Sequence, residues 1–442
     1  MSIQEDQSKE VKPAAWSSQE MLRVLLMSLA LLAFVHFLHI EEALQLEQLL
    51  MVVLGGFVVY QFIPVRFRLR FLPLLYLATL VVLFSPLDAV LLALFGGLLF
   101  GVLNLPYTVR VRTLLLLALG LAFACARLEW IPFTHADVVL PVLGGLFMFR
   151  SILFLHEQRF AQQKADFWLR LNYFFLPPNL VFLIFPVIDY KTFIHSFRTR
   201  PDYLNVRQGL LRMANGVFHL LLYRLIYYYL IPNPTEVTSP LGWLQYAIAS
   251  YALIMRLAGI FHLSVGVVGL FGFHLPPVFR HYFFASSFSD LWRRINMYWR
   301  DFVMKVFYYP IYFKVKHLGI LQAVAISILI TFAINWLLHA YQWFWVRGTV
   351  LLTIQDISFW AIFGIAVAVN SVYAAKYRRK PDHAKSFSLR RAYLHTLSVM
   401  GIFLFMTVLW SWWTAPSVAQ WWGFLGVWKN TGLNEVYLMV VG

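Results

Sequence analysis

An apolar stretch in the C-terminal third of the sequence contains an asparagine and a histidine at helical spacing. In the run ILITFAINWLLHAYQWFWV, residues 328–346, His339 follows Asn335 by four positions, which places both side chains on one face of a helix. Polar side chains are costly inside a membrane, so each is a candidate functional group. A buried, neutral His339 is suited to act as a general base. The alternative is a histidine that only bonds a backbone carbonyl or a water in a helix bundle, and this stretch alone leaves both open.

A second candidate is the basic and aromatic block SSFSDLWRRINMYWRDFVMKVFYYPIYF, residues 286–313. Arginine guanidinium groups match the geometry of phosphates, so the block can form a phosphate-binding entrance for a donor such as coenzyme A. The alternative is a segment in the membrane interface, held by aromatic anchors and snorkelling cations. The charged and polar residues of interest in the block are Arg293, Arg294, Asn296 and Arg300, beside Trp299.

The composition indicates that membrane-spanning helices position these residues. The chain has 442 residues, of which 61% are hydrophobic and 13% charged, whereas soluble proteins are about a quarter charged. Apolar runs of about 18 residues or more recur, and each is long enough to cross the hydrocarbon core. Helices are expected because backbone groups must bond internally in lipid, and the alternating short strands of a β-barrel are absent from the sequence. We therefore predict an all-α, polytopic integral membrane protein.

The net charge and the single cysteine indicate which partners and metal sites to expect. A formal charge of +16 would indicate nucleic-acid binding in a soluble chain, but in a membrane protein lysine and arginine concentrate in cytoplasmic loops. Membrane lipid is therefore an expected partner and nucleic acid is not. Cys125 is the one cysteine and lies in an apolar run, so neither a disulfide nor a cysteine pair for zinc can form within the chain. No metal is predicted.

Loop charges give a predicted topology of ten to twelve transmembrane helices, with further re-entrant or interfacial helices. Arginines between 66 and 70 and the basic stretch 376–391 place those loops in the cytoplasm. Residues 1–20 are polar and lack a cleavage pattern, so the N-terminus is predicted to be retained and cytoplasmic. The predicted spans are residues 21–39, 46–64, 71–85, 88–104, 113–127, 138–156, 212–231, 241–273, 318–345, 350–374 and 392–412.

Two segments allow more than one arrangement. Residues 173–190 are apolar but contain Pro177, Pro178 and Pro186 between basic flanks, which favours a re-entrant hairpin over a kinked spanning helix. The Trp-rich tail 413–442 fits either an interfacial segment or one more span.

Four motifs follow one another in an order that carries functional information. They are FFLPPNLVFLIFPVIDYKTF at 174–193, GLFGFHLPPVF at 269–279, SSFSDLWRRINMYWRDF at 286–302 and LLHAYQWFW at 337–345. In this order and spacing they resemble the membrane-bound O-acyltransferase family, nearest to its bacterial alginate O-acetyltransferase type. They correspond to the family's proline-broken segment, its Gly-Phe turn, its Trp-Arg-Arg cluster and its helix with the catalytic histidine. The resemblance covers residues 145–375.

The resemblance implies a membrane enzyme with a central tunnel, located in the bacterial inner membrane. Acyl-CoA, and acetyl-CoA in particular, would be the donor, and a hydroxyl of an exported polysaccharide or another envelope acceptor would receive the acyl group. His339 would remove the hydroxyl proton, and Asn296 would orient the donor or stabilise the oxyanion. Donor-binding contacts are expected from Arg293, Arg294, Trp299, Arg300 and Asn335. The implied divisions are a cytoplasmic N-terminal segment (1–20), N-terminal transmembrane helices (21–156), an acyltransferase core (157–375), and a basic cytoplasmic loop with a C-terminal transmembrane or interfacial segment (376–442).

The sequence departs from the family pattern in three places. Asn296 stands where alginate-type enzymes carry a histidine, Ala340 replaces a glycine, and the stretch MRLAGIFHLSVG at 255–266 lacks the family's acidic residues. The reaction class is therefore expected to carry over better than the acceptor. Two other functions stay open: a transporter or channel, and an envelope-assembly subunit that works with partner proteins and has no catalytic activity.

Overall fold

The computed structural model describes residues 16–144, 148–158, 166–181, 188–198, 203–350, 352–377 and 388–430, and these are mostly helical. The α-helices in chain order are α1 (Ser18–Phe37), α2 (Leu46–Phe62), α3 (Val65–Leu83), α4 (Pro86–Asn104), α5 (Val109–Arg127), α6 (Ala136–Val142), α7 (Met148–Gln158), α8 (Phe167–Phe174), α9 (Pro178–Val181), α10 (Tyr190–Ser196), α11 (Tyr203–Leu225), α12 (Pro240–Ala252), α13 (Ile254–Leu270), α14 (Phe288–Arg294), α15 (Met297–Val303), α16 (Tyr309–Val315), α17 (Ile320–Arg347), α18 (Ile354–Lys376), α19 (Leu389–Thr414) and α20 (Val418–Asn430).

Seven helical segments in the described part of the chain are long and apolar enough to cross a membrane. They are α1, α4, α5, the α12–α13 pair, α17, α18 and α19, while α2 is apolar but shorter at 17 residues. This is the architecture of an α-helical integral membrane protein. The predicted helical fold class is therefore confirmed for the described residues.

Hydroxyl side chains mark the starts of several of these helices. Ser17 caps α1 by accepting the Glu20 N–H at 3.2 Å, and the Glu20 carboxylate accepts the Ser17 N–H in return. The hydroxyls of Ser85 and Thr353 cap α4 and α18, because each accepts a backbone N–H from the first turn of its helix. Pro86 occupies the first turn of α4, where a backbone N–H would have no acceptor within the helix, so its absence costs nothing. These local signals fix where the apolar helices begin.

The helix boundaries differ from the predicted spans in two informative places. Arg66 and Arg70 lie inside α3, which begins at Val65, rather than in a loop before it. Long arginine side chains can reach the membrane surface from the first turns of a helix, so they need not lie in a loop. The predicted span 241–273 consists of two helices that separate at Leu253.

Several predicted features lie partly outside the described residues, including the predicted spans 138–156, which contains 145–147, and 350–374, which contains 351. Only 16–20 of the N-terminal segment is described, and 182–187 of the proline-broken stretch, 378–387 of the basic loop and 431–442 of the tail fall outside. Within the described parts, α9 begins at Pro178 and α20 occupies 418–430.

The chain forms two compact units, of which the first comprises Met1–Phe218 and Gly259–Pro276. In it, α11 and α13 meet at glycines spaced seven residues apart on each helix. A Cβ added at Gly216 would lie 2.7 Å from the carbonyl oxygen of Gly259, and one added at Gly266 would lie 2.7 Å from that of Gly209. The two backbones therefore touch, which small residues permit between membrane helices.

The second unit comprises His219–Ala258 and Pro277–Gly442. Its α17 and α18 pack closely along their length, and a Cβ added at Gly364 would lie 2.8 Å from the Cβ of Phe332. The short helix α14 packs beside this pair, with the Trp292 and Phe332 ring centroids 4.8 Å apart and the Ser289 N–H donating to Asn370 Oδ1 at 3.1 Å. This packing brings the basic and aromatic block against the helix that carries the predicted histidine.

Candidate functional site

Four polar side chains recur at every fourth residue of α17: Ser327, Thr331, Asn335 and His339. Ser327 and Asn335 are fully buried, Thr331 is 2% exposed, and His339 is partly buried. Neighbouring positions at this spacing are about 5–6 Å apart, and the set extends over about 18 Å. We call these four residues the polar face of α17.

Three atoms of the polar face have no hydrogen-bond partner within the described part of the chain. They are Ser327 Oγ, Thr331 Oγ1 and Asn335 Nδ2. A hydroxyl on the neighbouring helix behaves differently, because Ser358 Oγ donates to the Ile354 carbonyl at 2.6 Å. Most buried polar groups in proteins are paired, and a polar ligand or water bound beside α17 would supply the bonds that these three atoms lack.

Trp299 of α15 connects three of the predicted site residues. Its Nε1–H donates to Asn335 Oδ1 at 2.5 Å, and its ring centroid lies 5.3 Å from that of His339. Its backbone N–H donates to Asn296 Oδ1 at 3.3 Å. The structure therefore brings His339, Asn335 and Trp299 into one cluster and attaches Asn296 to it through the first turn of α15.

The His339 imidazole contacts two indole rings. It stacks on Trp360 of α18, with centroids 4.6 Å apart and an interplanar angle of 18°, and Trp299 lies beside it. No hydrogen bond to this imidazole occurs among the described residues. Asp356, one turn before Trp360, accepts a hydrogen bond from Trp413 Nε1 at 2.6 Å. Contacts with Trp360 and Trp299 thus orient the ring.

Asn296 has a structural task as well as a predicted catalytic one. It adopts a left-handed backbone conformation, φ 39° and ψ 64°, between α14 and α15. Asparagine is one of the few residues other than glycine that adopts this conformation readily. Its side chain also caps α15. The catalytic role of Asn296 stays a prediction.

The three predicted donor-binding arginines are engaged with acids or a backbone oxygen. Asp290 accepts from Arg294 Nε at 2.9 Å and from Arg293 at 3.4 Å. Arg300 pairs with Asp301 and donates to the Arg293 carbonyl at 2.9 Å. Arg300 therefore joins α15 to the end of α14, whereas the Arg293 side chain is 64% exposed and is the most accessible of the three.

The electrostatics of this cluster centre on Asp290. Burial alone would raise the pKa of this carboxyl, but hydrogen bonds, the largest from Arg294, hold the pKa of Asp290 below its usual value. Asp290 therefore stays ionised and offsets part of the positive charge of Arg293 and Arg294. The cluster is a weaker anion site than the number of its arginines indicates.

Ser327 and Thr331 belong to the polar face but were not predicted from the sequence. Their signal is the four-residue spacing that continues from Asn335 and His339 toward the start of α17. Hydroxyls in membrane helices commonly bond the carbonyl four residues earlier. The spacing alone therefore does not show that these two hydroxyls lack such bonds.

No protein-family model matches the chain, and no curated protein matches it. Within the described ranges, no group of three or more His, Cys, Asp or Glu side chains could hold a metal ion. The fold and site define an α-helical integral membrane protein with a buried polar helix face that ends at a histidine. Such an arrangement can exchange a proton with a polar substrate bound beside His339.

Proposed function

We propose that this chain is a membrane-embedded O-acyltransferase that moves an acyl group, acetyl in particular, from acyl-CoA to a hydroxyl of an exported polysaccharide or another envelope acceptor. The contact between Trp299 and His339 carries the proposal. These residues belong to two motifs about 40 positions apart whose order resembles one acyltransferase family. In the described part of the chain they meet at a histidine that makes no hydrogen bond, and this supports a shared active site.

In this mechanism His339 is the general base. Its imidazole takes the proton of the acceptor hydroxyl while the hydroxyl oxygen attacks the thioester carbonyl carbon. A C–O bond forms, the tetrahedral oxyanion collapses, and the C–S bond breaks. The coenzyme A sulfur then receives the proton from His339, so the enzyme returns to its starting state. Asn335 Nδ2, which is buried and has no partner among the described residues, is a suitable donor to the oxyanion, together with Asn296.

The polar face of α17 binds the amide-containing arm of the donor in this proposal. Amides entering a low-dielectric site need hydrogen-bond partners, and Ser327 and Thr331 offer them. α17 begins just after Lys314 and Lys316, so the polar face extends from a basic end toward His339. Phosphates of the donor would lie at basic residues, with Arg293 the most accessible of the predicted arginines.

The wider architecture is part of the same proposal. Ten to twelve transmembrane helices would surround a tunnel in the bacterial inner membrane, with the N-terminus and the 376–391 loop in the cytoplasm. Acyl-CoA would enter from the cytoplasmic side, where the lysines and arginines are concentrated.

Mass spectrometry of envelope glycans and lipids tests the proposal. Deleting the gene should remove acyl groups from one class of molecule, and the wild-type gene should restore them where His339→Ala does not. Purified wild-type protein should then release coenzyme A from acyl-CoA when that acceptor is added. Unchanged acylation after deletion, together with no release of coenzyme A, would refute the proposal. Altered export of an acceptor whose acylation is unchanged would favour a transporter.

A further inference from the structure

A groove lies between α1 and α2 in the first compact unit, in a region that the proposed reaction does not use. Its volume is about 1000 Å³, and most of its lining is apolar, including Met21, Leu25, Leu32, Met51 and Val58. From Ser18 to Leu32 the α1 wall extends about 21 Å. This length exceeds the half-thickness of the hydrocarbon core, about 15 Å, and therefore accommodates a lipid acyl chain.

Apart from Ser28, whose hydroxyl donates to the Val24 carbonyl at 2.8 Å, the polar groups of the groove are concentrated at one end. Ser18, Gln61 and Arg68 line the groove where α1 begins and α2 ends. Gln61 Nε2 is buried and has no hydrogen-bond partner among the described residues. Arg68 Nε donates to the Ile63 carbonyl at 3.2 Å, and its guanidinium lies 4.8 Å from the Tyr60 ring centroid. The positive charge of Arg68 is thus fixed at the mouth of a mostly apolar groove.

Positive charge surrounds this end of α1. Arg66 and Arg70 lie on the same helix as Arg68. A second cavity of about 460 Å³ is lined by Arg23 and Arg207, both of which are exposed. Among the described residues, Glu20 is the acid in the first turn of α1, where its carboxylate accepts the Ser17 N–H. The polar end of the groove therefore suits an anionic group, and the apolar remainder of the groove suits an alkyl chain.

We propose that the groove binds an anionic glycerophospholipid. One acyl chain lies between α1 and α2, and the phosphate-bearing headgroup meets Gln61 and the cationic end of α1. Charge complementarity favours a lipid over an apolar partner helix, because the polar groups occupy one end of the groove. This inference stands independently of the acyltransferase proposal.

A glycine in the wall permits a direct test. A Cβ added at Gly55, which lines the groove, would meet nothing within 4 Å, so Gly55→Leu should fold and fill part of the space. Gly97 of α4 is equally open but does not line the groove, and Gly97→Leu is therefore the matched control. Arg68→Gln tests the headgroup, although Arg68 also holds the end of α2.

Native mass spectrometry of the full chain in detergent, with added phosphatidylglycerol or phosphatidylcholine, provides the readout. We expect a phosphatidylglycerol adduct and stabilisation of the wild type and Gly55→Leu to lack both, while Gly97→Leu keeps both. Arg68→Gln should weaken phosphatidylglycerol binding about fivefold, the effect of one arginine at an anionic lipid surface. Equal binding of the two lipids by the wild type, or an adduct that survives Gly55→Leu, would overturn the proposal.

Discussion

Arg150 in the first unit and the polar face of α17 in the second are both buried, but their hydrogen-bonding groups have different surroundings. Arg150 is 1% exposed, and both of its terminal guanidinium nitrogens donate hydrogen bonds, one to Asn179 Oδ1 at 3.1 Å and one to the Tyr173 carbonyl, while the guanidinium lies 5.2 Å from the Tyr173 ring centroid. On α17, Thr331 Oγ1 and Asn335 Nδ2 meet no partner among the described residues.

Buried polar side chains can therefore have two roles in this protein, one in stability and one in ligand binding. Arg150 binds backbone and side-chain oxygens around Pro177 and Pro178, where the chain leaves regular helix, so it stabilises an irregular segment inside the protein. A buried polar atom without a partner costs about 1–3 kcal/mol, and a ligand that supplies the missing bond would remove this cost. We therefore expect Arg150 to govern stability and the polar face of α17 to govern activity.

The largest effect is expected from His339→Ala. Loss of a general base should lower turnover on the order of 10²- to 10⁴-fold, while the melting temperature changes little. Turnover and thermal unfolding of the same purified sample provide the measurement. His395→Ala, at an exposed histidine of α19, is the control and should match the wild type. Near-normal turnover of folded His339→Ala protein would remove the proposed mechanism.

Arg150→Leu should show the opposite pattern. Removing hydrogen bonds from a charged donor costs about 1.5–3 kcal/mol for each bond, so the melting temperature should fall clearly. Turnover per folded molecule should stay close to that of the wild type. Arg390→Leu, at an exposed position of α19, is the control and should leave the melting temperature unchanged. A variant of Arg150 that is stable but inactive would contradict the division between the two regions.

Thr331→Val sharpens the comparison because stability and donor affinity should move in opposite directions. The donor KM should rise about 2- to 10-fold, the effect of one lost hydrogen bond. The melting temperature should equal or exceed that of the wild type, because the substitution removes a buried hydroxyl that lacks a hydrogen bond. Thr396→Val is the control, because Thr396 Oγ1 donates to the Ala392 carbonyl at 3.1 Å on α19. A lower melting temperature with unchanged donor KM would show that Thr331 is a structural residue.

The smallest effects are expected in the arginine cluster. Arg293→Gln should raise the donor KM about two- to fivefold, because the contact is exposed and screened. Asp290→Asn should lower the donor KM by removing the carboxylate that competes for Arg293 and Arg294. Kinetics at several salt concentrations would measure both. If neither substitution changes the donor KM, the block is only an interfacial anchor.

The pH dependence of Asp290 has a defined sign. The pKa of this carboxyl is held below its usual value by its arginine partners. Its contribution to stability is therefore present at neutral pH and is lost only as the pH falls through the lowered pKa.

The sequence predicts the helical class of this molecule well because apolar length and low charge are properties of single segments. The Asp290–Arg294 pair was also predictable in principle, since its residues lie four apart on one helix. The contact between Trp299 and His339 was not predictable from spacing, because about 40 residues separate them and helix packing decides which faces meet. Residue types likewise do not reveal whether the Ser327 hydroxyl is bonded, since that depends on its rotamer and its neighbours.

The glycine contact between α11 and α13 has a consequence for biosynthesis. About 40 residues separate Gly216 from Gly259, and α12 lies between them in the chain. At a synthesis rate of about 5–20 residues per second, α11 emerges roughly two to nine seconds before its partner. The α11–α13 contact can therefore form only after α13 is made, and a larger residue at Gly216 would then clash with the Gly259 carbonyl.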